Sequence, residues 1–110
     1  MSTEKQIKSR VIRYKSELKK EIRECLKNNE RVYDEMYYNK YTQTKVSDIV
    51  DNDIRILSVI VLVADIQARI FSNESDEYSI VYRSIYQNAI DEIYKKATNK
   101  DKQTVYRLFD

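Results

Sequence analysis

A chain of 110 residues has room for one hydrophobic core, and with 42% hydrophobic and 35% charged residues it has the apolar content to fold around it. Residues 1–110 therefore read as one domain, with a net charge of only +2. The sequence holds no glycine, proline or histidine and a single cysteine. That excludes glycine-rich phosphate loops, His-dependent triads, Cys/His zinc sites and internal disulfides, and it disfavours hairpin-rich β folds, leaving an all-α four- to five-helix bundle.

Residues 3–27 predict the first helix, because Ile7, Val11, Tyr14, Leu18, Ile22 and Cys25 recur three or four apart. At 100° per residue these six fall within about 80° of arc, with Leu26 at the margin. Cys25 is expected as a small buried hydrophobe rather than a reactive thiol, and one cysteine suits a reducing, cytoplasmic compartment. The first thirty residues carry charge throughout, so no secretory signal is expected. No apolar run approaches the roughly 20 residues that cross a bilayer. Asn28 and Asn29 are placed to end this helix or to cap the next.

Residues 30–41 predict a short second helix with Tyr33, Tyr37 and Tyr41 on one row and Met36 and Tyr38 beside it. Thr42–Lys45 is the expected connector, with Thr44 or Ser47 as N-cap of the third helix. Residues 42–53 read equally as helix or loop.

From about Val46 to Ser72 comes the most apolar segment, expected as a central, nearly all-apolar third helix. Its β-branched run also suits a buried strand, but the pattern outlasts a strand, and a lone strand would leave unpaired edges. Asp65 and Arg69 stand four apart in the favourable order for a local ion pair. Val59, Leu62 and Ile66 share a strip with Arg55 and Arg69 at its ends. An apolar patch rimmed by arginine resembles a partner-binding surface, and a homodimer burying it is expected. Covered by bundle neighbours, the same strip is core.

The cap-rich segment Ser72–Glu77 is expected to open a helix running to about Ala97, with Tyr78, Val81, Tyr82, Ile85, Tyr86, Ala89 and Ile93 on its stripe. Lys95 and Lys96 then sit at the negative end of its dipole. Thr98 and Asn99 cap a short last helix containing Val105, Tyr106, Leu108 and Phe109.

Charge is sorted along the chain: the balance is +5 over residues 1–28, −6 over 29–94 and +3 over 95–110. On the first helix Lys15, Lys19, Arg23 and Lys27 form an i, i+4 row of like charge, each adjacent pair unfavourable by about 0.2–0.5 kcal/mol. Three readings account for that row: a nucleic-acid backbone, the acidic middle of this chain or of a symmetry mate, or solvent. All four side chains are expected to be exposed. Ten tyrosines invite a base-stacking role for Tyr33, Tyr37, Tyr38 and Tyr41, but rows at helical spacing fit helix packing or a protein interface better. Asp48, Asp51 and Asp53 lack the glycine and glutamate of a calcium loop, and first-turn acids facing a helix dipole explain them more simply than a metal does. No cofactor and no catalytic constellation is expected.

The sequence therefore points to a non-catalytic helical interaction protein with a protein partner. Its alternative is a nucleic-acid-binding or packaging protein using the basic first helix. Abundant Lys, Ile, Tyr and Asn suit an AT-rich genome, and the small size suits a virus, phage or plasmid.

Overall fold

A computed structural model describes residues 3–72 and 76–109. They form α1 (Glu4–Met36), one 3-10 turn (Val46–Asp48), α2 (Asn52–Phe71), α3 (Asp76–Lys96) and α4 (Asn99–Phe109), with no strand among the described residues. The all-α bundle expected from composition is the fold observed.

α1 begins at a capping box: the Thr3 hydroxyl accepts from the Gln6 amide at 3.2 Å, and the Gln6 side chain accepts from the Thr3 amide at 2.9 Å. The helix does not stop at Asn28. Asn29 leaves helical geometry (φ −140°, ψ 40°), and helix resumes beyond it to Met36, so the two expected helices are one helix with a break. A straight 33-residue helix would run about 50 Å. The molecule is 42 Å long, and the break lets the last two turns fold against the 3-10 turn, where Asp34 accepts from the Ser47 amide at 2.9 Å. Tyr41, expected on this helix, lies beyond it.

The segment from Tyr37 to Asp51 is a loop, ending α1 five residues early and starting α2 six residues late. Its tip is a tight reversal in which Asn39 and Thr44 exchange backbone hydrogen bonds of 2.9 and 3.2 Å. The Asn39 side chain accepts from the amides of Tyr41 and Thr42. With no glycine available, Gln43 takes the left-handed position (φ 56°). The N-cap of α2 is Asp51, not Thr44 or Ser47, because its carboxylate accepts from the Asp53 and Ile54 amides at 2.9 and 3.1 Å.

α2 is the central helix. In its first half Ile54, Ile56, Leu57, Ser58, Val59, Ile60 and Val61 are all buried, so it is covered all round, whereas only Ala64 and Ala68 are buried beyond. α3 packs against it through Val81, Ile85, Ala89 and Ile93, and α1 contributes Ile22 and Leu26. Ile7, Val11, Tyr14 and Leu18 lie half-buried at the seam between them. The expected cap-rich start of α3 falls on residues 73–75, outside the described residues. Beside it Phe71 stacks on Tyr82 (5.8 Å, 7°) and leans on Tyr78, and Tyr82 stacks on Tyr14.

α4 closes the opposite end by a polar clasp. Its Asp101 is buried and accepts from the amides of Val50 and Asp51 at 2.9 and 3.1 Å. At the other end of α4 the Asn39 amide and the Thr42 hydroxyl donate to the Arg107 carbonyl at 2.8 and 2.7 Å, satisfying acceptors a helix terminus leaves open. Val105 and Leu108 complete the core.

Candidate functional site

Two surfaces hold the charged and apolar rows that the sequence marks as candidates: the flank of α1 that meets α3, and the outward row of α2. Residues four apart drift about 40° around a helix, so the row Lys15, Lys19, Arg23, Lys27 begins at the α3 seam and ends in solvent. The Lys15 side chain is 14% exposed and donates to Glu92 at 3.0 Å and to the Asn88 side chain. Lys19 is half-buried, Arg23 comes within 4.0 Å of Asp53, and Lys27 is exposed. The expectation of four exposed cations is therefore corrected at Lys15 and Lys19, because α3 presents a carboxylate to the start of the row.

Lys96 reaches the same carboxylate at 3.5 Å, a role beyond the helix dipole that the sequence did not signal. Burial works to raise the carboxyl pKa of Glu92. The hydrogen bond from Lys15 and the charges of Lys15, Lys96 and Lys19 outweigh it and hold the group below its usual range. Among the described residues Lys19, Lys20 and Lys27 make no ion pair.

The five residues expected to form an interface do not share one surface. Arg55 is half-buried, and its guanidinium donates to the Ile49 carbonyl at 3.1 and 2.7 Å, holding the loop onto α2. Val59 is 0% exposed, sealed in the core. Those two are thus removed from the candidate surface, and the reason is physical: Arg55 is held by the loop carbonyl of Ile49, and Val59 packs in the core. Leu62 is half-buried at the edge of a hollow of about 390 Å³ that Met36, Tyr38, Tyr41 and Leu108 also line. Ile66 is 44% exposed, and Arg69 is exposed and pairs with Asp65 at 3.2 Å. Ile70, 54% exposed, continues the row and was legible as the next i+4 step. Met36 and the 96% exposed Tyr41 join the surface only through the loop's path, which no sequence spacing announced.

The acidic residues of the 48–53 segment each have local work. Asp48 accepts from the Lys45 amide at 2.8 Å, Asp51 caps α2, and Asp53 faces Arg23. No three of His, Cys, Asp and Glu converge as a metal site among the described residues. Cys25 is half-buried rather than buried, because it lies to one side of the buried Ile22 and Leu26. Beside it Tyr33 stacks on Tyr37 at 6.0 Å, and burial, followed by the neighbouring Cys25 thiol, pushes the Tyr33 phenol up to about 12. Burial also raises Tyr37.

Compared with protein-family models, with curated proteins and with solved structures, the chain finds no match. No helix among the described residues is long and apolar enough to cross a membrane.

Proposed function

We propose that this chain is a non-catalytic helical interaction protein that docks a protein partner on the outer face of α2. One observation carries the reading: the apolar row that is buried at Val59 continues through the half-buried Leu62 to Ile66 and Ile70, which are exposed. Isolated exposed apolar residues are ordinary, but a row of them beside Met36 and Tyr41 has the character of a binding patch with a charged rim. The composition supports a small virus-, phage- or plasmid-encoded factor acting in the cytoplasm.

The test is a photo-crosslinking amino acid placed at Ile66 and, separately, at the exposed Gln87 of α3. A protein captured from position 66, not from 87, and lost when Ile70→Lys is added supports the reading. Identical capture from both positions sinks it.

A second reading, a nucleic-acid backbone along α1, is favoured by Lys19, Lys20 and Lys27, none of which lies within ion-pair distance of a carboxylate among the described residues. It is weakened by the engagement of Lys15 and Arg23. Titration with labelled DNA and RNA at two salt concentrations decides it. Affinity that falls with salt and is lost on replacing those three lysines with Gln supports it, and no binding at low salt ends it.

A further inference from the structure

The open half of the α2 row is bordered on one side by charges arranged to fit their own copy. Asp65 and Arg69 lie on the same flank of the strip formed by Leu62, Ile66 and Ile70, four residues apart and opposite in sign. When two identical helices pack face to face in antiparallel sense, the two-fold axis turns each end for end and brings a flank against the same flank of its mate. In a parallel pair a flank meets the opposite one, which here carries Val63 and Gln67 and no charge. An axis level with Gln67 sets Asp65 of each copy across from Arg69 of the other.

From this charge complementarity we infer that the partner seated on the outer face of α2 is a second copy of this chain, packed antiparallel about an axis near Gln67. The inference rests on the proposed docking role of that face and names its occupant. In this register Ile70 of each copy drops between Leu62 and Ile66 of the other, while the two Ile66 side chains meet at the axis. Tyr41 and Met36, which stand beside Leu62, come to lie over the far end of the partner's row near Ile70. That gives an occupant to Tyr41, whose ring is otherwise in water. The uncovered stretch from Leu62 to Ser72 spans about 15 Å of helix, so the interface is small and holds at micromolar rather than nanomolar concentration. The four charges fix orientation more than strength.

The experiment is sedimentation velocity of the full chain over a range of concentrations, with circular dichroism on each variant to verify helix content. The wild type is expected to dimerise, and Ile66→Lys to abolish the dimer. Asp65→Arg alone and Arg69→Asp alone each place like charges across the axis and weaken self-association about tenfold or more. Mixed in equal amounts, those two variants form a heterodimer, because one flank is then all basic and its mate all acidic. The double variant Asp65→Arg/Arg69→Asp self-associates as the wild type does.

A wild type that stays monomeric at its highest soluble concentration overturns the second copy, as does self-association indifferent to both single charge changes. Capture of a different protein from position 66 in the crosslinking experiment would then leave the docking face standing with another occupant. Loss of position-specific capture would remove the face itself.

Discussion

Val59 and Ile66 lie on the same side of the same helix, two turns apart, and differ completely in what surrounds them: the first is sealed and the second is 44% exposed. Nothing in the residues themselves separates them. What differs is the surroundings: the loop from Tyr37 to Asp51 is tied to the first half of α2 and to α4, and Val59 lies in the core at that half. Asp101 accepts from the amides of Val50 and Asp51, Arg55 donates to the Ile49 carbonyl, and the loop's Asn39 and Thr42 side chains donate to the Arg107 carbonyl of α4. Past Leu62 no such tie is found among the described residues, and Ile66 and Ile70 stay exposed. A buried loop is possible only where its polar groups are satisfied, so polar residues decide how far an apolar face is covered.

The largest effect should come from cutting the clasp. Asp101→Ala removes a buried carboxylate and its two charge-assisted hydrogen bonds from the amides of Val50 and Asp51, and should lower stability by about 3 kcal/mol in urea denaturation. An unchanged midpoint would mean that the loop stays tied to α4 without needing the carboxylate. Truncation then contrasts the two halves of the row directly: Val59→Ala should lose about 2 kcal/mol, from transfer and cavity terms together, and Ile66→Ala no more than about 0.5 kcal/mol. Equal losses would erase the distinction.

Hydroxide offers a gentler probe of the covered end, where Tyr33 and Tyr37 stack. Their phenols titrate higher in the folded chain than in the unfolded one, Tyr33 near 12 against an ordinary 10. A raised folded value means that stability is whole below pH 10 and is lost as the pH climbs through 10 toward 12. Thermal melts from pH 9 to 11.5 should show that decline, and Tyr33→Phe should flatten it. Glu92 works in the other direction: held below its usual 4.5 by Lys15, it contributes stability above pH 4.5 that fades as the pH falls further. Glu92→Gln should blunt that acid limb. The smallest change expected is at the tip of the covering loop, where Gln43→Gly relieves a left-handed side chain worth about 1–2 kcal/mol but adds unfolded-state freedom. The net gain should be about 0.5 kcal/mol in Tm-derived stability.

The helices were largely legible because each carries a stripe at helical period, and the central segment reads as helix by its length. What the spacing could not give was anything set by contacts between distant residues. Asn29 reads as a stop, yet the chain continues through it because helix resumes on the far side and packs. Thr44 and Ser47 read as N-caps, yet α2 starts at the cap Asp51, whose amide, with that of Val50, is bonded to Asp101 half the chain away. For the candidate surfaces the same holds. Lys15 is a lysine in a row until α3 brings Glu92 beside it, and Arg55 is an arginine at the rim of a patch until the loop carbonyl of Ile49 arrives. Ile66 and Arg69 stand exposed, as their spacing suggests, because among the described residues no other element covers them.

The clasp also has a consequence in time. α2 and α3 follow one another through a short connector, whereas the bonds from Val50 to Asp101 and from Asn39 to Arg107 join residues 51 and 68 apart. Long closures are costly until the rest of the chain is compact, so the clasp is expected to form after the folding transition state and to break early in unfolding. Asp101→Ala should then accelerate unfolding while leaving the refolding rate nearly unchanged. An opening confined to this end leaves the α2–α3 pair standing and frees the loop and α4. The apolar side chains that the loop and α4 bring to the core, Val46, Ile49, Val105 and Leu108, then meet water for as long as the clasp stays undone.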